Sequence, residues 1–170
     1  MIIGSDYEFY NVNKESIENT ESETEEENPF DADKIRIEQQ MLSVKYVFEL
    51  FQQKLLDTNP SFQRRPVWID NKRKSLLIES LMLRIPIPAF YFYENEDGMF
   101  QVIDGQQRLF TIFEFLQDEF KLTGLEYIGD ICNNRCFSEL DAKYQQRIYR
   151  TQLAVNILDI RSPYKVVYDI

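Results

Sequence analysis

The sequence contains no histidine. A Ser-His-Asp triad, a Cys-His pair and an HNH nuclease each need an imidazole that titrates near neutrality, so all three are excluded. Only two cysteines are present, Cys132 and Cys136. That is too few for a disulfide framework, and zinc held without histidine needs more thiolates than this. The start, Met-Ile-Ile-Gly-Ser-Asp, lacks the basic and apolar regions of a signal peptide. No apolar run is long enough to span a bilayer. These absences predict a cytoplasmic protein with no membrane partner.

What is present is a strongly uneven charge. The net charge of −10 divides into −9 over residues 1–34, with eleven acidic and two basic residues, and −1 over residues 35–170. Residues 13–34 include Glu25-Glu26-Glu27 and almost nothing apolar, which predicts an acidic, disordered arm. Two readings of the arm stand: a solvated tail without a task, or an acidic mimic that guards a basic groove. The remainder, residues 35–170, has the length of one domain. Its near-neutral charge does not repel nucleic acid.

Order is expected from a short strand near Ile35. Ser43 then precedes a helix whose apolar stripe is Val44, Val47, Phe48, Phe51 and Leu55, ended by Asn59-Pro60. Asp70 is a candidate N-cap for a second helix with Leu76, Leu77, Ser80, Leu81 and Leu83 on its buried side, stopped by Pro86. Ala89–Tyr93 and Met99–Ile103 read as a hairpin around the Asp97-Gly98 turn. A third helix follows, with Leu109, Ile112, Phe113 and Leu116 inward. Ser138 and Asp141 form a candidate capping box for a helix to about Arg150, and Leu153–Ile160 is a further strand. Ser162-Pro163 opens a last helix that reaches Ile170 unfinished, which predicts a domain truncated at its C-terminus.

Between the return strand and the third helix stands Asp104-Gly105-Gln106-Gln107-Arg108. A helix start presents free backbone N–H groups and the positive end of its dipole. Gly105 permits close approach, and Arg108 in the first turn adds a forked cation suited to phosphate. Together these form a candidate anion site. Asp104 is placed to hold Mg²⁺ or to orient a water, and Gln106 and Gln107 offer amides to phosphate oxygens or to a water. The same residues admit a purely structural reading: Asp104 as a cap, Gly105 as a turn residue, Arg108 in a surface ion pair.

A second constellation, Phe62-Gln63-Arg64-Arg65-Pro66-Val67-Trp68 with Lys72-Arg73-Lys74, interleaves cations with aromatics. That suits phosphate contact and base stacking, or equally a loop anchored by Phe62 and Trp68 with solvated cations. The cysteine pair reads as two small core residues. Phe90–Tyr93 reads as sheet core, and Arg147 and Arg150 as a solvated helix face.

With these motifs in view, the sequence resembles the N-terminal domain family of GmrSD-type restriction endonucleases. Ile103–Leu109 matches the family's Asp-Gly-Gln-Gln-Arg signature. Pro60–Trp68 is similar to its Pro-x-Phe-Gln-Arg-x-x-x-Trp segment, and Ile85-Pro86-Ile87-Pro88 to its Ile-Pro-Ile-Pro turn, in the same order. The resemblance covers roughly residues 35–170. It implies an α+β, ParB/sulfiredoxin-like fold, a small mixed sheet flanked by helices. It further implies a nucleoside triphosphate and Mg²⁺ as cofactors, bound and hydrolysed around Asp104, Gly105, Gln106, Gln107 and Arg108, with Gln63 and Arg64 facing the same cleft. Asp104, Gln107 and Arg108 are then the catalytic candidates, and Asp104 the metal ligand. Two departures stand out. Phe110 occupies a position where the family often has Thr. The family's later Phe-x-x-x-Asn-x-Gly segment does not occur, so the cleft is expected to lack a wall.

The expected role is nucleotide-dependent regulation of a restriction or phage-defence system acting on modified or foreign DNA. The nuclease is supplied by another domain or subunit, and cleavage by this chain alone is not expected. Arg65, Trp68, Lys72 and Arg73 are the candidate DNA contacts. The alternatives are a non-catalytic DNA- or partner-binding module of the same fold and, third, a direct nuclease.

Overall fold

The computed structural model describes residues 36–58, 70–159 and 162. The expected arm, the loop carrying Gln63, Arg64, Arg65 and Trp68, and the last helix lie outside them. The order of elements is β1 (Ile37–Ser43), α1 (Val44–Gln52), β2 (Leu56–Asp57), α2 (Asn71–Leu83), β3 (Phe90–Glu94) and β4 (Phe100–Asp104). Then come α3 (Gln106–Leu116), a one-turn α4 (Gly129–Cys132), a 3₁₀ turn (Phe137–Glu139), α5 (Ala142–Arg150) and β5 (Gln152–Leu158). The strands form one mixed sheet in the order β1-β5-β3-β4-β2, so the fold class is α+β as expected. β1 with β5 and β3 with β4 are antiparallel; β5 with β3 and β4 with β2 are parallel.

Strand alternation decides which sheet face is covered. Phe90, Phe92, Val102, Leu153, Val155 and Ile157 enter one core with residues of all the α-helices. Tyr91, Tyr93, Ile103 and Leu158 gather on the other face. α3 is central to the main core: Leu109, Ile112, Phe113, Phe115 and Leu116 are buried, and Phe113 stacks on Phe51 at 4.6 Å between ring centres. Hydrophobic spacing alone specified that inner face correctly.

Local capping rules held at two helix starts. The Ser43 hydroxyl accepts from the Tyr46 N–H, and the Asp70 carboxylate from the Lys72 N–H. The hairpin turn also forms as expected, with Gly98 left-handed at φ 71° and the Asn95 side chain accepting from the Asp97 and Met99 N–H groups.

Other expectations are corrected. α1 stops at Gln52, well before Asn59-Pro60, because Lys54 turns left-handed and Leu56-Asp57 then pairs with β4; Leu55 therefore lies beyond the helix. α2 is rotated from the expected phase. Ser75, Ile78, Glu79, Leu81 and Met82 are buried, while Leu76, Leu77, Ser80 and Leu83 are only half-buried. The buried Glu79 carboxylate receives the N–H groups of Glu126, Tyr127 and Ile128 at 2.8–3.0 Å, an inward polar role that a hydrophobic pattern cannot signal. The Ser138–Asp141 box does not form. Instead the Cys136 N–H donates to Glu139, and the Ser138 N–H donates to Asp118 at 2.8 Å. Cys132 is core as expected, whereas Cys136 is half-buried; both are free thiols.

Candidate nucleotide site

The Asp104–Arg108 run sits where β4 passes into α3. The register between β3 and β4 shifts between Tyr91 and Phe92, beside the Tyr91–Asp104 pairing. Such an irregularity re-aims the strand end. Gly105 follows with φ 93°, a left-handed conformation in which an L side chain is strained. A β-carbon there would also lie 2.3 Å from Phe90 Cδ1. The glycine is therefore demanded by the turn and by Phe90, whether or not a ligand approaches. Among the described residues no side chain caps α3 at Gly105, so within them its first turn keeps its dipole end uncapped.

Arg108 folds back across this turn. Its Nη2 donates to Asp104 Oδ2 at 3.0 Å and to the Ala89 carbonyl at 3.2 Å; its Nη1 donates to the Pro88 carbonyl. The guanidinium lies 4.5 Å from the centre of the Phe90 ring. Burial lowers its pKa from the ordinary value, and the neighbouring Asp104 carboxylate opposes that shift. It remains a cation under any ordinary condition. The Arg108 side chain is 14 % exposed and that of Asp104 53 %, so the carboxylate is the solvent-facing member of the pair.

The two glutamines diverge. Gln106 is buried, and its Nε2 donates to the Thr58 carbonyl. Gln107 is half-buried, and among the described residues its side-chain amide has no partner; its carbonyl accepts from the Thr111 hydroxyl. The Thr58 bond ties the residue that precedes the 59–69 segment directly to the motif. At the other flank of that segment, Lys74 bonds Glu114 at 2.6 Å. Both flanks are thus fastened to α3, about 12 Å apart along its axis at the usual rise per residue. Lys72 and Arg73 are exposed on the first turn of α2.

Of the expected site residues, the structure places Asp104, Gly105, Gln106, Gln107 and Arg108 at one strand-to-helix junction; Lys72 and Arg73, expected as DNA contacts, are exposed on α2. Thr58, Phe90 and the carbonyls of Pro88 and Ala89 were not foreseen as parts of the site. The sequence marked Pro88 as part of the Ile-Pro-Ile-Pro turn and Ala89 as the start of a strand, not as acceptors for a guanidinium.

No cluster of three or more acidic, cysteine or histidine side chains that could cage a metal occurs among the described residues. Asp104 is a single carboxylate with Oδ1 unpartnered among them. That donor set fits Mg²⁺, which keeps several waters and takes one or two carboxylates alongside phosphate oxygens. No helix among the described residues is long and apolar enough to cross a membrane.

The family described as GmrSD restriction endonuclease, N-terminal domain, matches the chain over residues 47–167, well over half its length. No curated protein and no solved structure matches it.

Proposed function

Because the chain belongs to the N-terminal domain family of GmrSD restriction endonucleases, we propose that it is the nucleotide-responsive domain of a DNA-restricting system. In this reading a nucleoside triphosphate with Mg²⁺ binds at the β4–α3 junction, on a ParB/sulfiredoxin-like fold. The N–H groups of the first turn of α3 and those of Arg108 not spent on protein acceptors receive phosphate oxygens, Asp104 takes the Mg²⁺ or its water, and Gln107 positions a water or a phosphate. Gln63 and Arg64 join from the segment that leaves the motif at Thr58. The nuclease is a separate domain or subunit.

One observation carries this reading. An exposed carboxylate and a charged guanidinium are held side by side, 3.0 Å apart, at a helix start that no described side chain caps. Anions favour such a terminus, and the pair offers one ligand for the metal and one for the phosphate.

A ligand that binds only the folded state raises its stability by mass action, about 2.7 kcal/mol at a hundred times its dissociation constant. The melting temperature should therefore rise with triphosphate plus Mg²⁺, and Asp104→Asn should remove the Mg²⁺-dependent part. No rise with any of the four common ribonucleoside triphosphates would end the proposal. The three protein acceptors of Arg108 favour the second reading, a non-hydrolysing module. Phosphate release measured on the same samples separates the two.

A further inference from the structure

A cleft of about 570 Å³ lies on another part of the molecule, between α5, the start of β5 and the residues that follow α2. We propose that it docks a DNA strand, with phosphates along α5 and one unstacked base over the apolar floor. The inference rests on the reading of the chain as part of a DNA-acting system, but not on the nucleotide site.

Lys143, Gln146, Arg147 and Arg150 recur at spacings of three and four, so they share one face of α5, while Tyr144 and Ile148 are buried on the other. α5 contains no acidic residue. Arg84, left-handed at the end of α2, supplies a fourth cation from across the cleft. None of the cleft's lining residues is acidic, and none of the four cations is in an ion pair among the described residues. Over residues 35–170, where the net charge is −1, the cleft gathers four cations with no acid among its lining residues. Arg147 is oriented: it donates to the Met82 carbonyl at 3.3 Å and lies 5.6 Å from the Tyr144 ring centre. The floor is formed by Met41 and Ile85, 59 % and 46 % exposed, with Pro86 and Ile87.

The arrangement suits a strand better than an isolated anion. From Lys143 to Arg150 the helix advances roughly 10 Å, long enough for more than one phosphate of a strand to lie along it. A repeating polyanion can use the whole row, whereas one carboxylate needs a single fork. Exposed apolar side chains between the cations give a base face something to cover, which a paired and stacked base cannot use. Gln146 and Gln152 add amides at the rim.

The surface also adjoins the first site through the backbone. Arg84–Ile87 line the cleft, and the next two carbonyls, of Pro88 and Ala89, hold Arg108.

The test is fluorescence anisotropy of a labelled 12-nucleotide single strand with the full chain, without nucleotide or Mg²⁺, across a salt series. Lys143→Ala with Arg150→Ala should weaken binding at least tenfold and lower the log–log salt slope by about 1.4. Ile85→Ser should weaken the single strand more than a duplex of the same sequence. Unchanged binding and slope in the double variant, or no binding at about 50 mM salt where phosphate contacts are strongest, would overturn the proposal. So would capture of a glutamate-rich peptide in place of DNA. Circular dichroism melts confirm that the variants fold. Because nucleotide is omitted, failure here leaves the Asp104 site standing. Loss of the nucleotide-induced thermal shift would likewise leave this surface standing.

Discussion

Gly105 packs so closely on Phe90 that even one added carbon would lie 2.3 Å from the ring, well inside contact distance. Gly105→Ala should therefore cost about 1–3 kcal/mol in backbone strain and a further 1–3 kcal/mol in overpacking. Urea denaturation measures the sum. Adding Phe90→Leu should recover the packing part and leave the strain. Full recovery would mean that the left-handed turn carries no strain.

Glu79 presents a second case of a side chain that organises backbone. It is 3 % exposed and receives three successive N–H groups from residues 126–128. Glu79→Ala leaves those donors without an acceptor and should destabilise the protein by about 3 kcal/mol. Glu79→Gln should cost less, since one oxygen remains to accept. Hydrogen exchange of the 126–128 amides should quicken in both variants, more in the alanine.

The sequence made the centre of the fold readable and its edges less so. α3 announced itself through Leu109, Ile112, Phe113 and Leu116, because a fully buried helix face repeats at the helical period. Ser43 and Asp70 announced helix starts through their own side-chain chemistry. The two-residue β2 had no such signal, since its pairing with Phe100 and Gln101 is a tertiary event. The phase of α2 was missed because Glu79 faces inward on bonds to residues 47 to 49 positions away. At the site the motif was visible as a string, but its wiring was not. That Arg108 would reach Pro88 and Ala89, and Gln106 would reach Thr58, depends on elements brought together by the sheet.

Acid should act on the turn at residues 136–139. The Cys136 N–H and side chain, with Lys121, hold the Glu139 carboxyl down to a pKa of about 2, and Asp118 is lowered chiefly by the Ser138 N–H. Both folded-state values lie below the unfolded ones. Their stabilising effect is therefore full above about pH 4.5, the ordinary value, and fades as pH falls toward the folded values. Amide shifts of Cys136 and Ser138 followed by NMR should move in that window. Midpoints at ordinary carboxylate values would contradict the assignment.

The two thiols should differ in reactivity. Cys132 is buried and its pKa is raised by that burial, while Cys136 is half-buried. Timed alkylation with mass spectrometry should modify Cys136 first, with Cys132 reacting at the rate of local opening. Equal rates would mean that the α4 region opens freely.

The nucleotide proposal is tested most directly by titrating isotope-labelled protein with a Mg²⁺–triphosphate and following the amides of Gln106, Gln107 and Arg108. The account predicts saturable shifts centred on these three groups and on Gly105, with their Mg²⁺-dependent part lost in Asp104→Asn. Saturable shifts confined to other parts of the sheet, or none at millimolar nucleotide, would contradict it.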